Sequence, residues 1–331
     1  MSRAPLPVGV VGVGSLGFHH ARILRDVAGA EMAGVFDADP ARAARVSEEL
    51  GVRAFASLEE LLGRVEAAVV AVPTTDHAAV ALAALERGVH LLIEKPIAST
   101  LEEADRIVEA ADTAGVTVAT GHVERFNGAL RACEPYLDGP RFIESHRLAP
   151  FAPRGVDVAV VLDLMIHDID LVLSLTRTPV SSVSAVGVPI LTPSVDIANA
   201  RLEFEDGAVA NITASRVSME RTRKIRFFQP SGYVSLDLAK GTGEFLRLRR
   251  DAGALLMSEG LAGLSLDRVV ERVELAGDGA EPLRCELEAF VRAVRGEAAT
   301  VVSGHDGRRA LAVALEIMQR IEHHVAGWQT A

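Results

Sequence analysis

The first third of the chain alternates short apolar runs with segments of helical periodicity. Predicted strands at residues 8–13, 30–36, 67–72, 90–93 and 116–120 are separated by predicted helices at about 17–27, 40–50, 76–87 and 101–114. Asp39 with Pro40, and Thr100 with Glu103, are typical starts of helices. Because strands that lack polar alternation lie between amphipathic helices, we expect a parallel, doubly wound sheet.

The pattern changes at about residue 142. Asp206-Gly207 and Pro230-Ser231-Gly232 each separate two extended segments, as turns of β-hairpins do. Strands are predicted at 142–148, 197–204, 208–214, 224–229, 233–238, 244–250 and 270–275, and helices at about 156–176, 282–295 and 306–324. This pattern predicts an α+β domain with an open, largely antiparallel sheet.

Length and composition restrict the class of protein. A chain of 331 residues exceeds the ~250 to 300 at which one core stops growing, so we expect two domains, 1–121 and 122–331, with the final helix packing back on the first. The net charge of −11 argues against a nucleic-acid or anionic-membrane binder. The chain has two cysteines, Cys133 and Cys285, which lie far apart in the sequence, so no disulfide framework is expected. No apolar segment is long enough for us to expect a membrane span or a secretory leader. We therefore expect a soluble, cytoplasmic protein.

A glycine-rich turn follows the first predicted strand and opens the first predicted helix. Gly12, Gly14 and Gly17 match the GxGxxG dinucleotide fingerprint, with Ser15 and Leu16 in the same loop. The acidic residue expected about 20 positions later, which binds a ribose 2′-hydroxyl, is Asp37. This predicts an NAD-binding Rossmann domain. NADP is the less favoured cofactor, although Arg42 offers a partner for a 2′-phosphate.

Two further strands are predicted to end at the same edge of the sheet. Pro73 and Thr74 follow the third strand and suit the nicotinamide ribose, although a plain turn explains them nearly as well. His77, next to them, is a candidate cofactor contact but fits an ordinary helix position better. Glu94 and Lys95 follow the fourth strand, where ligands bind in open α/β sheets. Lys95 offers a charge, a proton shuttle or a nucleophile.

The long apolar helix carries a polar stripe. Asp163, His167 and Asp170 are spaced i, i+4 and i+7, and such a stripe is costly to bury unless its members pair with each other or with a ligand. Asp163 can orient His167 as a general base, while a satisfied interior network is the structural alternative. For Asp168 and Asp170 the structural interpretation is preferred. One histidine on this face does not favour a metal site, so none is expected.

These motifs together resemble the Gfo/Idh/MocA oxidoreductase family. The resemblance rests on Gly12 to Gly17, Glu94-Lys95-Pro96, and Asp163 followed by His167. It implies a Rossmann domain, a C-terminal open sheet for substrate and oligomer contacts, and NAD(P)-dependent oxidation or reduction of a sugar or cyclitol carbon. It also implies that Lys95 contacts substrate and cofactor, that Asp163 and His167 bind the reacting hydroxyl, and that His167 is the acid/base. Independently of the resemblance, a lysine whose pKa is lowered by burial can serve as the base, so Lys95 is the alternative.

A narrower resemblance is to the UDP-N-acetylglucosamine 3-dehydrogenase branch, whose product leads to a 3-amino sugar for lipid A. It rests on the stretches 121–127 and 142–147, and implies substrate contacts by Arg125, Asn127 and Arg147. That branch often has proline where this chain has Gly128, so we expect a more flexible loop here. The alternatives are a dehydrogenase of a free sugar, inositol or another polyol, and an NAD-sensing protein without turnover.

A local excess of positive charge bears on the choice of a diphosphate substrate. Within eleven residues the chain places Arg216, Arg221, Arg223, Lys224 and Arg226. Such a group would suit a diphosphate, whereas solvated strand faces or subunit-interface salt bridges are the alternative. An uncovered sheet face also makes a homodimer or homotetramer the expected assembly.

Overall fold

The structure, a computed structural model, describes residues 4–152, 158–249, 252–253, 257 and 265–328. Contacts divide the chain into two compact units, one of Met1–Phe126 with Ala280–Ala312 and the other of Asn127–Gly279 with Val313–Ala331. This grouping concerns contacts only, and the independent domains 1–121 and 122–331 stay a prediction. Among the described residues, no helix is long and apolar enough to cross a membrane.

The first unit contains the parallel sheet expected from the sequence. Its strands are β1 (Leu6–Val11), β2 (Ala30–Phe36), β3 (Ala67–Val70), β4 (His90–Glu94) and β5 (Val118–Gly121), in the order β2-β1-β3-β4-β5. Its helices are α1 (Ser15–Leu24), α2 (Pro40–Leu50), α3 (Leu58–Leu62), α4 (Thr74–Leu85) and α5 (Leu101–Ala114), followed by a 3₁₀ turn at Val123–Phe126. All neighbouring strands run parallel, so their carboxyl ends lie at one edge.

The predicted helix starts of this unit are confirmed. Asp39 accepts hydrogen bonds from the amides of Ala41 and Arg42 at the start of α2. Thr100 and Glu103 form a reciprocal capping box at the start of α5. These side chains satisfy amide groups that have no partner within the first turn of a helix.

A helix from late in the chain completes this hydrophobic core. Helix α9 (Pro282–Val294) contributes Leu287, Phe290 and Val291 to the cluster that contains Val8 and Val10 of β1. This helix, which begins more than 250 residues after β1 in the sequence, thus helps to bury apolar surface of the parallel sheet.

The second unit contains an open sheet that is antiparallel except for one parallel pair, β6 with β9. Its strands are β6 (Phe142–Leu148), β7 (Val180–Val188), β8 (Ile197–Phe204), β9 (Val209–Ser215), β10 (Thr222–Gln229), β11 (Gly232–Asp237), β12 (Thr242–Leu248) and β13 (Val270–Ala276). The order is β13-β12-β11-β10-β6-β9-β8-β7. Both predicted hairpins are present, as β8 with β9 and β10 with β11. The last residue of the predicted strand 244–250 lies outside the described residues.

Helical segments of this unit include α6 (Gly128–Cys133), a 3₁₀ turn at Glu134–Tyr136, α7 (Ile166–Thr176) and α8 (Leu266–Val269). The long C-terminal helix is α10 (Gly304–Trp328). The helix predicted over 156–176 instead begins with a π-helical turn at Val161–Met165 that leads into α7, and residues 156 and 157 lie outside the described residues.

The sequence pattern did not predict strand β7. This strand lies at the end of the sheet beside β8 and has several exposed serines. An edge strand buries few side chains, so its sequence lacks the apolar alternation that marked its neighbours.

Candidate active site

The glycine-rich turn between β1 and α1 has the geometry of a dinucleotide loop. Gly12 has a φ of +83°, and a Cβ there would lie 2.7 Å from the carbonyl oxygen of Ala71. A Cβ at Gly17 would lie 1.8 Å from the carbonyl oxygen of Gly12. A Cβ at Gly14, by contrast, would meet no described atom within 4 Å. Protein packing therefore explains Gly12 and Gly17, while Gly14 leaves an open approach to the backbone that a pyrophosphate fits.

Asp37 lies immediately after β2 and is held by the same turn. Its two carboxylate oxygens accept hydrogen bonds from the amides of Val13 at 2.8 Å and Asp39 at 2.9 Å. Arg42 donates to both oxygens, at 3.2 and 3.4 Å, and also pairs with Asp39 at 3.7 Å. The carboxylate is thus fixed beside the glycine loop, where an acidic side chain can accept hydrogen bonds from a ribose.

These residues border one cleft of about 660 Å³ in the first unit. A cleft of this size is within the range of cofactor sites. Its lining consists of Gly12, Gly14, Ser15, Leu16, Asp37, Ala38, Asp39, Arg42, Ala71, Val72, Pro73 and Asp76. The residues expected to bind NAD at Gly12, Gly14, Ser15, Leu16, Asp37 and Pro73 are therefore brought together. The open backbone at Gly14 and the fixed carboxylate of Asp37 fit such a cofactor.

Glu94 and Lys95 stand at the carboxyl end of β4. The Oε2 atom of Glu94 accepts a hydrogen bond from the Lys95 amide at 3.2 Å, and the Lys95–Pro96 peptide bond is cis. The Oε1 atom lies 2.7 Å from Nε2 of His20 on α1. Burial alone would raise the pKa of Glu94, but the hydrogen bond from His20 and the positive charge of Lys95 hold that pKa below its usual value. The carboxylate therefore stays ionised although it is buried.

Sequence reasoning missed His20. Its signal is its position, three residues after Gly17, on the helix that opens the dinucleotide loop. An apolar helix face with one histidine is usual in cores, so that signal was weak without the partner. Only the folded structure, in which the His20 ring reaches the Glu94 side chain, identifies Glu94 as that partner.

His77 lies in the interior of the first unit, at 1% exposure. Its Nδ1 is 2.9 Å from the carbonyl oxygen of Pro96 and its Nε2 is 3.0 Å from that of Val72. Burial lowers its pKa, although these hydrogen bonds and the charge of Glu94 oppose that effect. A neutral imidazole has one N–H and donates to one of these carbonyls at a time. His77 thus joins the turn that contains Pro73 and Thr74 to the segment after Lys95.

The second unit holds Asp163 and His167. Asp163 lies within the π-helical turn, and His167 lies in the first turn of α7. Both residues are partly exposed. A π turn contains more residues per revolution than an α turn, so it changes the angular offset between Asp163 and His167 from that of the regular helix that the sequence predicted. Single π turns of this kind are frequent at functional sites.

Asp168 has a structural role, as its sequence context indicated. Its two oxygens accept hydrogen bonds from the Ser145 hydroxyl at 2.6 Å and from Nε of Arg147 at 2.5 Å. The Arg147 and Asp168 side chains are 4% and 2% exposed. This ion pair fixes α7, the helix that contains His167, to β6. A direct contact of Arg147 with substrate stays a prediction.

The other two predicted substrate contacts are Asn127 in the second unit and Arg125 in the first. Asn127 is buried, accepts a hydrogen bond from the Ala129 amide at the start of α6, and donates to the Leu238 carbonyl at 2.8 Å. Arg125 is half-buried in the 3₁₀ turn of the first unit. Burial opposes ionisation of Asp306, but hydrogen bonds from Ser303 and Arg309, and last the charge of Arg125, hold its pKa below the usual value. Their binding roles stay predictions.

Gly128 begins α6 and packs closely on another glycine. A Cβ at Gly128 would lie 2.8 Å from the Cα of Gly277, and a Cβ at Gly277 would lie 2.6 Å from the Cα of Gly128. Two backbone segments therefore touch here without side chains. This close packing contact accounts for a glycine at position 128, and the greater flexibility of the loop stays a prediction.

The basic group at residues 216–226 does not form one cluster. Arg216 is buried, donates to the Val158 carbonyl and lies 3.8 Å from Asp196. Lys224 and Arg226 lie on the exposed face of β10, where Arg226 pairs with Glu144 at 2.5 Å, and Arg223 lies on the opposite face. Alternation along the strand therefore separates charges that are neighbours in sequence.

Comparisons with known proteins agree with this geometry. Residues 6–122 match the model of an oxidoreductase family with an NAD-binding Rossmann fold, and residues 128–234 match the GFO/IDH/MocA C-terminal domain. UDP-N-acetylglucosamine 3-dehydrogenase of Acidithiobacillus ferrooxidans is 40% identical over 95% of this chain and 96% of its own.

The chain belongs to the Gfo/Idh/MocA oxidoreductase family. A solved structure of the Acidithiobacillus ferrooxidans enzyme has a TM-score of 0.87 at 37% identity, covering 97% of this chain and 99% of that one. Scyllo-inositol dehydrogenase of Lactobacillus casei, solved with NAD(H) and scyllo-inositol, has a TM-score of 0.77 at 20% identity, covering 97% and 98%, and shares the fold. This family member is an NAD(P)-dependent oxidoreductase that acts on a CH–OH group.

Proposed function

We propose that this enzyme oxidises the C3 hydroxyl of UDP-N-acetylglucosamine to a ketone with NAD. The observation that carries the proposal is the 40% identity, over nearly the full length of both chains, to a dehydrogenase of that name. Myo-inositol 2-dehydrogenase of Thermotoga maritima is only 25% identical over 95% of the chain, which supports the free-polyol alternative less well. The 3-keto sugar would then be a precursor of a 3-amino sugar for lipid A.

The proposed chemistry uses three side chains. NAD, when bound, accepts the hydride of the carbinol carbon. His167 takes the hydroxyl proton, and Asp163 orients its ring and the sugar. Lys95 stabilises the negative charge that develops on the oxygen. In the alternative form of this hypothesis, Lys95 is the general base instead of His167. A positioned base and a fixed cation both act on charge that develops in the transition state.

We propose NAD rather than NADP as the cofactor. Asp37 and Asp39 both line the cleft, and each would repel a 2′-phosphate. Arg42, the candidate phosphate partner, already donates to Asp37 at 3.2 Å. A 2′-hydroxyl can instead donate to the carboxylate of Asp37, as in other Rossmann folds that bind NAD.

We also propose that the protein self-associates as a homodimer or homotetramer. One face of the second sheet exposes the apolar side chains of Val186 on β7 and Phe228 on β10, which are 44% and 43% exposed, and an uncovered apolar sheet face favours association with another chain. Light scattering on the purified protein tests this assembly, and a monomeric mass at micromolar concentration would contradict it. The cytoplasmic location stays a prediction from the sequence.

The function is tested by incubating the purified protein with NAD or NADP and a panel of sugars. The panel contains UDP-N-acetylglucosamine, UDP-glucose, free N-acetylglucosamine and myo-inositol, and reduced nicotinamide is followed by its absorbance. We expect turnover with the first sugar and NAD, and mass spectrometry should show loss of two hydrogens from the sugar. Turnover with free polyols alone would favour the alternative, while tight NAD binding without turnover would favour an NAD sensor.

A further inference from the structure

A buried histidine and carboxylate connect the dinucleotide loop to Lys95. His20 lies on α1, which begins at the glycine turn, and Glu94 ends β4 directly before Lys95. Their side chains are 1% and 12% exposed, and Nε2 of His20 lies 2.7 Å from Oε1 of Glu94. The other oxygen of Glu94 accepts the Lys95 amide at 3.2 Å. One carboxylate therefore joins a ring on helix α1 to the backbone that carries the Lys95 amine.

The direction of this hydrogen bond follows from the state of Glu94. Burial opposes ionisation of Glu94, but the adjacent charge of Lys95 favours it, and an ionised carboxylate can only accept hydrogen bonds. Nε2 of His20 must then carry the proton. Nδ1 of the same ring is buried and has no hydrogen-bond partner among the described residues. Glu94 is thus the hydrogen-bond partner that the structure shows for this ring.

Neighbouring backbone restricts the carboxylate on its remaining side. Glu94 is paired in register with Gly121 of β5, and a Cβ at Gly121 would lie 3.1 Å from the carboxyl carbon and from Oε2 of Glu94. The carboxylate is therefore held between a histidine, the Lys95 amide and a glycine. Loss of the His20 donor would leave a buried, charged oxygen without that partner, and the side chain would have to move to regain one.

We propose that His20 is a positioning residue for Lys95, acting through the carboxylate of Glu94. The inference rests on the proposed role of Lys95 at the substrate oxygen. Polar pairs buried this deeply are not required for core stability, since apolar groups of similar volume serve as well. This pair instead fixes the segment that carries Lys95. A small displacement of the Lys95 amine would change its distance to the reacting oxygen.

The decisive comparison is between His20→Leu and His20→Gln. Leucine fills the space without a donor, whereas the glutamine amide can donate from near the position of Nε2. We expect His20→Leu to lower kcat about 100-fold, as a misplacement of about 1 Å can do, with KM and NADH affinity near wild type. His20→Gln should regain most of the loss. The neighbouring His19 is exposed on the same helix, so His19→Leu is the matched control and should retain kcat.

Equal kcat losses in His20→Leu and His20→Gln would overturn the proposal, because packing alone would then explain them. Wild-type kcat in His20→Leu would also overturn it. If His20→Leu does not fold, His20→Asn replaces it, because the asparagine side chain is too short for its amide to reach Glu94. A lowered kcat in His20→Asn together with near wild-type kcat in His20→Gln would support the proposal. Equal kcat values in these two variants would contradict it.

A readout without substrate separates this inference from the proposed function. Crystal structures of the wild type and His20→Leu, each with NAD, should differ in the positions of the Glu94 carboxylate and the Lys95 amine. Coincident positions would overturn the role of His20, whichever sugar is oxidised. Absence of turnover by the wild type on every sugar would instead contradict the proposed function, and the two structures would still decide the role of His20.

Discussion

Charged side chains are used differently in the two units. In the first, Asp37 and Glu94 stand at the carboxyl ends of β2 and β4, and Asp37 borders the cleft of the glycine loop. In the second, Arg147 and Arg216 are buried beside Asp168 and Asp196. Parallel strands bring their carboxyl ends to one edge, so residues that follow different strands meet there. Along any single strand, successive side chains point to opposite faces of the sheet. Position at a strand end therefore indicated the site in the first unit, whereas nearness in sequence did not indicate a cluster in the second, where Arg223 and Lys224 lie on opposite faces of β10.

The largest expected effect concerns the proposed acid/base and cation. We expect His167→Asn and Lys95→Met each to lower kcat by about 10²–10⁴-fold, because each removes a group that acts on developing charge. Stopped-flow measurement of nicotinamide absorbance gives the rate of hydride transfer. Near wild-type rates in both variants would refute the mechanism, and His146→Asn, on the exposed face of β6, is the control histidine.

The buried ion pair of the second unit should matter for stability. We expect Arg147→Met to lower the free energy of unfolding by about 3–5 kcal/mol, because it leaves Asp168 charged and buried without that partner. Urea denaturation followed by circular dichroism measures the change. Arg226→Met removes an arginine from a pair with Glu144 whose side chains are 50% and 22% exposed, and should change stability by about 1 kcal/mol or less. Similar losses in the two variants would remove the distinction between buried and exposed arginines.

Asp37 provides the corresponding test in the first unit. We expect Asp37→Ala to weaken NADH binding by about 1.5–3 kcal/mol, since a charged acceptor for the ribose hydroxyl is lost. NADPH should be weakened less, because the repulsion of its phosphate is reduced at the same time. Fluorescence titration with both cofactors gives the ratio of affinities. An unchanged ratio would show that Asp37 does not determine cofactor preference.

Asp196 should make stability depend on acid pH. Three amides, of Ile190, Leu191 and Thr192, and the Thr192 hydroxyl donate to its carboxylate. Burial opposes ionisation, but these hydrogen bonds lower its pKa from 3.8 to about 2.

A carboxylate whose pKa is lower in the folded than in the unfolded protein stabilises the folded state at pH values above the unfolded pKa. This stabilisation is lost as the pH falls through the folded pKa. We expect about 2 kcal/mol to be lost between about pH 4 and pH 2. Unfolding measured across this range should show a smaller pH dependence in Asp196→Asn than in the wild type. Parallel curves for the two proteins would contradict the assignment.

The fold class was predictable because local patterns and tertiary structure agree. Apolar runs, helix caps and the Asp206-Gly207 turn each act over a few residues, and the observed parallel and antiparallel sheets follow from them. Strand β7 was missed because an edge strand needs little apolar alternation. The π-helical turn around Asp163 was missed because widening one turn depends on packing and not on a local sequence preference.

The sequence by itself determined the chemistry that is available: a glycine turn, Asp37 about 20 residues later, and a lysine after a buried strand. Those features are set by covalent order and short-range periodicity. Tertiary structure alone decided which groups are partners, including His20 with Glu94 across 74 positions and Arg147 with Asp168 across 21. The reason is physical, because a buried charge requires a donor or counter-charge, and only the packing of helices on the sheets determines which side chain supplies it.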